Sequence, residues 1–203
     1  MQASELFHQP NTILLDGGMG TMLQAAGMKL GTRPEDLNIE NPELIRSIHA
    51  KYAAAGSRVV NANTFGASPH KLADSKYTLE EVITAGIANC KQAVAPYGAL
   101  VTLDVGPLGE LLEPSGTLAF EDAVAEYGRI VRAGVAAGAD ILYFETFTDL
   151  YEMKAALLAA KENSTLPIMA SMSFEANGRT FTGCTVESFA ATARGLGANA
   201  VGI

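Results

Sequence analysis

The chain has 203 residues, 48% of them hydrophobic, so its length suits a single domain with a sizeable apolar core. Its 22 acidic side chains outnumber its 14 basic ones and give a formal net charge of −8. This balance argues against a nucleic-acid backbone or an anionic lipid surface as the main partner, because both are bound by clustered positive charge.

Several features of the sequence favour a soluble, cytoplasmic protein. Two cysteines, Cys90 and Cys184, cannot form the disulfide framework of a small secreted domain. The first residues lack the basic and apolar regions of a signal peptide. No uncharged apolar run approaches the roughly 20 residues that a membrane span requires. We therefore expect no membrane partner.

Apolar segments alternate with helical patterns along the chain. The pattern predicts strands at 13–15, 58–62, 99–103, 141–144 and 168–174, and a sixth within 197–203. Between them it predicts helices at 42–55, 79–95, 120–137, 150–161 and 186–196. Pro42 suits the first turn of a helix and Gly56 suits the residue after its end. Strict alternation of strands and helices, with strands that are apolar throughout, predicts a parallel sheet covered by helices.

Two kinds of parallel sheet fit this pattern, a doubly wound sheet and a (β/α)8 TIM-type barrel that stops after about six strands. Polar residues follow five different strands: Asp16, Asn63, Asp104, Glu145 and Ser173. In a barrel such strand exits converge on one face, whereas in an open sheet they lie along a line. We therefore favour the barrel, present as one partial domain over residues 1–203 that ends at the sixth strand.

The segment Asp16-Gly17-Gly18-Met19-Gly20-Thr21 follows the first predicted strand. It could be a tight turn that needs glycine, or an anion site in which unhindered backbone amides meet a helix start at Met19. The segment lacks the G-x-G-x-x-G pattern and the lysine of a phosphate-binding P-loop. A small carboxylate therefore fits at least as well as a nucleotide.

Glu145 follows four apolar residues, where a carboxylate is costly unless it is paired or faces a polar cavity. It could form an ion pair at the rim, or it could join Asp16 in binding a substrate ammonium group. Asn63 and Thr64 add amide and hydroxyl donors after the second strand, although such residues are also common in turns. Amides for a carboxylate beside carboxylates for an ammonium group predict an amino-acid site. Asp104 could equally be a structural cap for the loop that follows it.

Other candidate side chains give weaker signals. No histidine has metal-ligand spacing with another histidine or a cysteine; the three are His8, His49 and His70. Cys90 lies inside a predicted helix and is interpreted as a core residue. Cys184 lies near the predicted active face and is a possible reactive thiol.

Taken together, five segments resemble the homocysteine S-methyltransferase family, in particular the N-terminal homocysteine-binding barrel of cobalamin-dependent methionine synthases. They occur in the family's order and span nearly the whole chain. The segments are Leu15-Asp16-Gly17-Gly18-Met19-Gly20-Thr21, Asn61-Ala62-Asn63-Thr64-Phe65-Gly66-Ala67-Ser68, Gly106-Pro107-Leu108-Gly109, Phe144-Glu145-Thr146-Phe147 and Met172-Ser173-Phe174.

This resemblance implies a zinc-dependent barrel in which three cysteine thiolates hold the metal that activates the homocysteine sulfur. Methylcobalamin, recharged from methyltetrahydrofolate by other domains, would supply the methyl group; relatives use betaine or S-methylmethionine. Asp16 and Glu145 would hold the substrate ammonium group. The amides of Gly17 and Gly18, with Asn63 and Thr64 nearby, would take the carboxylate side.

The sequence departs from the family pattern at the metal. The family's first zinc cysteine follows the sixth strand, and here the chain ends at Gly202-Ile203, two residues before that position. The expectation is that this polypeptide holds no catalytic zinc and does not transfer methyl groups by itself.

Two alternatives remain at this stage. One is a lyase that binds Mg²⁺ through Asp16, Asp104 and Glu145, since a hard cation prefers oxygen ligands. The other is a non-catalytic fragment that self-associates through its exposed final strand.

Overall fold

The computed structural model describes residues 3–29 and 31–203. Its centre is a parallel sheet with the strand order β1-β2-β3-β4-β5. The strands are β1 (Val59–Asn61), β2 (Leu100–Val105), β3 (Ile141–Phe147), β4 (Ile168–Met172) and β5 (Ala200–Gly202). The last five of the six predicted strands are therefore confirmed.

The first predicted strand, residues 13–15, is reduced to one parallel bridge between Leu15 and Val59. The Asp16 amide still donates to the Val59 carbonyl at 3.1 Å. At the next position a side chain replaces the backbone acceptor of the parallel strand pairing. There the Asn61 amide donates to Asp16 Oδ2 at 3.1 Å. The chain leaves the sheet at this point, so the segment is too short to form a regular strand.

Eight α-helices occur in the described residues. They are α1 (Ala3–Leu6), α2 (Met19–Ala25), α3 (Leu37–Glu40), α4 (Pro42–Ala54), α5 (Leu79–Val94), α6 (Phe120–Ala136), α7 (Leu150–Asn163) and α8 (Val186–Gly195). Helices α4–α8 agree with the predicted segments to within two residues. Short 3₁₀ turns lie at Pro34–Asp36 and Ala95–Tyr97.

Local sequence explains several of these helix ends. The Asn41 side chain accepts from the Leu44 amide at the start of α4. Thr78 and Glu81 form a capping box at the start of α5. Gly56, beyond the end of α4, has φ +111°, a conformation that glycine adopts without the penalty of a Cβ atom.

Each face of the sheet carries its own apolar layer, because successive side chains of a strand point to opposite faces. Helices α4–α8 cover the face that we call the helix face. Strand residues packed there include Val60, Leu103, Phe144 and Ala170. The opposite face, which we call the inner face, carries a smaller layer that also contacts Leu6 of α1. Its strand residues are Val59, Leu100, Ile141 and Met169.

This arrangement differs from a doubly wound sheet, which reverses its strand order and carries helices on both faces. Within residues 3–29 and 31–203 the strand order follows the chain without reversal, and the long helices share one core on one face. The structure therefore establishes a parallel α/β fold wound in one direction. Closure into an eight-stranded barrel stays a prediction.

The described part of the chain contains no helix that is long and apolar enough to cross a membrane. Near the C-terminus, Val201 of β5 is 49% exposed and Ile203 is 83% exposed. Self-association through this strand stays a prediction.

The contact between α6 and the sheet provides a test of the helix face. A Cβ atom at Gly134 of α6 would lie 2.5 Å from Leu103 Cδ2 and 2.9 Å from its Cγ, inside a closed core. We expect Gly134→Ala to lower the free energy of unfolding by about 1–3 kcal/mol through overpacking.

Gly195 of α8 is the matched control, because it is exposed and a Cβ atom there would meet nothing within 4 Å. Gly195→Ala should raise the free energy of unfolding by about 0.5–1 kcal/mol through helix propensity. Urea unfolding of both variants measures the two effects. Shifts of the same sign and size would contradict the packing described for Gly134.

Candidate functional site

A cavity opens on the inner face at the carboxyl end of the strands. It has a volume of about 250 Å³. Its lining residues are Asp16, Gly17, Gly18, Met19, Asn61, Ala62, Asn63, Phe65, Asp104 and Glu145. A second lobe of about 280 Å³ adjoins it. The two lobes share Met19, Asn63, Phe65, Asp104 and Glu145, and the second adds Gly20, Pro34, Glu35 and Thr146.

Two carboxylates of the cavity come from strands whose side chains alternate between the two faces of the sheet. In β2, Leu100 belongs to the apolar inner layer, and Asp104, four residues later on the same face, lines the cavity. In β3, Ile141 and Glu145 have the same relation. The inner face is therefore apolar at the amino end of the sheet and acidic at the carboxyl end.

A bulge in β3 sets the position of Glu145. The register with β4 shifts between Phe144 and Phe147, and both phenylalanines lie in the core of the helix face. A regular strand would place residues three apart on opposite faces, so one residue is extra. The irregularity lies at Thr146, whose φ of +65° is unusual for a β-branched residue. Backbone strain of this kind is concentrated at functional sites.

Asp16 is the first carboxylate of the site. Its Oδ2 atom accepts from the Asn61 amide at 3.1 Å, and its Oδ1 atom is buried without a partner in the described residues. Burial, with a smaller effect from the charge of Glu145, raises the pKa of Asp16 to about 7 against two opposing hydrogen bonds. This group therefore changes its charge near neutral pH.

Asp104 and Glu145 are neighbouring acidic side chains that both line the cavity. Burial raises the pKa of Asp104 well above its usual range, and the neighbouring Glu145 carboxylate adds to the effect. Burial also raises the pKa of Glu145. Three acidic groups thus border one small space.

The Asp16-Gly17-Gly18 loop offers hydrogen-bond donors beside these carboxylates. Within the described ranges, the amides of Gly17 and Gly18 have no acceptor. The Tyr52 hydroxyl donates to the Gly18 carbonyl at 3.1 Å, and a Cβ atom at Gly17 would lie 3.0 Å from the Tyr52 ring. Tyr52 therefore holds the loop and requires glycine at position 17, while both amides stay available to an anion.

Asn63 and Thr64 are more structural than their sequence pattern indicates. Asn63 lines both lobes, but its side-chain amide donates to the Pro34 carbonyl at 2.8 Å and to Asn38 Oδ1 at 2.9 Å. Thr64 lines neither lobe. Its hydroxyl bonds the backbone carbonyl and amide of Asp104, at 2.8 and 3.1 Å. Thr64 thus supports the strand that carries Asp104.

The cavity contains residues that the sequence did not single out for substrate binding. Asp104, for which a loop cap and a place on the active face were both open, lines both lobes. Asn61 and Phe65 also line the cavity, and only their place in the second motif could have indicated this. Ser173 lies outside both lobes. It follows the end of β4, is exposed, and donates its amide to the Phe147 carbonyl at 2.8 Å.

The cysteines lie apart from this cavity. The Cys90 thiol is buried and donates to the Val60 carbonyl at 3.8 Å, which confirms its core role. Cys184 lines a separate cavity with Tyr151 and Lys154, and burial raises the pKa of its thiol. Because a reactive cysteine needs a lowered pKa, this environment does not favour a reactive thiol at Cys184.

The histidines give no metal site either. His49 is completely buried, its two ring nitrogens have no partner in the described residues, and burial lowers its pKa to about 4. His70 lies 3.7 Å from Glu110 on the surface, and His8 lines a cavity beside Pro167.

In residues 3–29 and 31–203 no three His, Cys, Asp or Glu side chains are arranged as ligands of a metal ion. A zinc site built on three thiolates does not fit the residues described. The Mg²⁺ lyase stays an alternative, because Asp16, Asp104 and Glu145 line one cavity.

Comparison with known proteins places this geometry in a family. Methionine synthase of Mycobacterium tuberculosis is 27% identical over 206 residues, which cover 93% of this chain and 17% of that protein. The chain thus spans about a sixth of the length of this relative.

Solved structures show the same fold. The metallated form of the homocysteine methyltransferase MmuM from Escherichia coli superposes with a TM-score of 0.85 at 24% identity, covering 97% of this chain and 75% of that one. The oxidized form of the same protein gives a TM-score of 0.84 and the apo form 0.74. The family model described as homocysteine S-methyltransferase matches residues 13–203. The chain therefore belongs to the homocysteine S-methyltransferase family.

Proposed function

We propose that this chain is the amino-acid-binding part of a homocysteine S-methyltransferase, in which homocysteine is held for methylation to methionine. One observation carries the proposal: one buried and two half-buried carboxylates border a small cavity beside two backbone amides that have no acceptor in the described residues. Family membership supplies the substrate.

In this proposal the substrate ammonium group binds between Asp16 and Glu145. The pKa of Asp16 is raised by burial and, to a smaller extent, by repulsion from Glu145, and the positive charge of the substrate offsets both effects. The substrate carboxylate accepts from the amides of Gly17 and Gly18, away from the acidic groups. Asn63 and Thr64 contribute by holding the neighbouring backbone in place.

We further propose that residues 1–203 form part of a (β/α)8 barrel whose strands follow one another in chain order. The single direction of winding and the superposition on MmuM support this. The proposal includes zinc, methylcobalamin and methyltetrahydrofolate because the family resemblance implies them. Because the described residues do not form a thiolate metal site, we propose that the isolated chain binds substrate without transferring methyl groups.

The first prediction concerns ligand recognition. L-homocysteine should bind the wild-type chain, measured by isothermal titration calorimetry. Two analogues should each bind at least about tenfold more weakly, because each loses one charged group. These are 4-mercaptobutanoate, which lacks the ammonium group, and 3-mercaptopropylamine, which lacks the carboxylate.

Glu145→Gln should weaken L-homocysteine binding by about tenfold or more, since it removes a partly buried charge partner. Glu175→Gln is the control, because Glu175 is exposed in the loop after β4 and lies outside the cavity. Equal affinity for homocysteine and both analogues would refute the proposed site.

The second prediction concerns pH. The pKa of Asp16 is raised in the folded state, so its stabilising contribution is full below its ordinary pKa of 3.8 and is lost as the pH rises through about 7. The Asp16→Asn variant does not lose stability in this way, because asparagine does not ionise. Between pH 5 and pH 8 the variant should therefore gain roughly 2 kcal/mol of unfolding free energy relative to wild type.

Urea unfolding at the two pH values measures this difference. Glu121→Gln, at an exposed position of α6, should change stability by less than about 0.5 kcal/mol at either pH. A difference between Asp16→Asn and wild type that does not change with pH would show that Asp16 ionises normally.

The third prediction concerns metal. The purified chain should contain far less than one equivalent of zinc by elemental analysis and should not methylate homocysteine. Cys184→Ser should leave both the metal content and the L-homocysteine affinity unchanged, because this thiol lies outside the cavity. Stoichiometric zinc that is lost in Cys184→Ser would contradict the prediction.

A further inference from the structure

Asp104 is a deeply buried carboxylate of the site. Only 6% of the residue is exposed, and its Oδ1 atom has no hydrogen-bond partner in the described residues. It nevertheless lines both lobes of the cavity. A buried acceptor without a donor costs free energy, so this atom is positioned to receive a donor from a ligand.

The charged groups that act most strongly on Asp104 are all acidic. Asp16 approaches from the first loop, Glu35 from the 3₁₀ turn and Glu145 from β3. Tyr143 of β3, which is also influenced by Asp104, carries no positive charge. Asp104 therefore has acidic neighbours where a buried carboxylate normally has a cation.

Glu35 provides the contrast within the same cavity. Its Oε1 atom accepts from the Gly66 amide at 2.7 Å, and Lys71 and Arg33 both favour its ionised form. The ammonium group of Lys71 lies 5.3 Å from the centre of the Phe65 ring and interacts with Glu35 and Glu152. Burial raises the pKa of Glu35, but Lys71 and Arg33 partly compensate its charge. The groups that act most strongly on Asp104 include no such basic side chain.

Asp104 and Glu145 are neighbouring acidic side chains that both line the cavity, and a hydrogen bond between two carboxyl groups requires a proton. Two carboxylates in contact cannot both be ionised at low cost, and one proton shared between them removes the repulsion. The same position could be occupied by an ammonium group, which brings a positive charge and its own N–H donors.

We propose that Asp104 is a further substrate-binding residue, which together with Glu145 holds one proton in the free site and exchanges it for the substrate ammonium group. The inference rests on the proposed function. On binding, the proton leaves the pair for solvent, the pair changes its charge from −1 to −2, and the cationic group takes the place of the proton. The exchange selects amino acids over thiols that lack an ammonium group.

The experiment counts protons released on binding. L-homocysteine is titrated at pH 8 by calorimetry in buffers of different ionisation enthalpy, and L-methionine is titrated in parallel because it has no thiol proton. At this pH Asp16 is mostly ionised already, since its pKa is about 7. Wild type should release about one proton per ligand, supplied by the acidic pair.

Asp104→Asn should release almost none and should bind at least about tenfold more weakly, whereas Glu152→Gln should behave as wild type. Glu152 is the matched control: it is a buried acid with a raised pKa, but it accepts from the Leu108 amide and the Tyr127 hydroxyl and lies outside both lobes.

The possible outcomes separate the two proposals. Binding without proton release, or identical behaviour of wild type and Asp104→Asn, overturns the role of Asp104 and leaves the proposed function intact. Failure of L-homocysteine to bind wild type and Glu152→Gln overturns the proposed function. A ligand-free measurement tests Asp104 separately: an infrared carboxylic-acid band at pH 8 should be present in wild type and absent in Asp104→Asn. Identical spectra would refute the shared proton.

Discussion

The clustering of three acidic side chains, Asp16, Asp104 and Glu145, around one small cavity is the constraint on which the rest of the site depends. Asp16 and Asp104 each keep one buried oxygen without a partner in the described residues, and Glu145 lies against Asp104. Such an arrangement is unfavourable in the free protein and becomes favourable when a positively charged ligand arrives. The electrostatics of the free cavity therefore favour the binding of a cation.

The folded state tolerates the unfavourable free energy of these acidic groups because the remainder of the structure is well packed. Helices α4–α8 bury one face of the sheet, and an apolar layer closes the amino end of the other face. Glycine allows close contacts where they are needed: the Phe65 ring lies 2.7 Å from where a Cβ atom of Gly106 would be. The strained backbone at Thr146 lies beside Glu145, which concentrates the irregularity at the functional edge.

Much of the fold could be read from local pattern. The strands β1–β5 and the helices α4–α8 follow from apolar runs, helical spacing and capping residues, because these depend on neighbours along the chain. The first segment shows the limit of this reasoning. Residues 13–15 have the composition of a strand, but the side chain of Asp16 takes the next ladder position. No periodicity of the sequence reveals that a side chain replaces a backbone acceptor.

The sequence alone indicated the family, the acidic and glycine residues at strand exits, and an amino-acid ligand, since motifs of this kind are local. Tertiary structure decided which of these residues meet. It brought Asp104 into the cavity and turned Thr64 toward the backbone of β2. It also gave Asp16 and Asp104 different environments, and these raise the pKa of each. The physical reason is that burial and charge repulsion depend on distances between strands, which residue order along the chain does not specify.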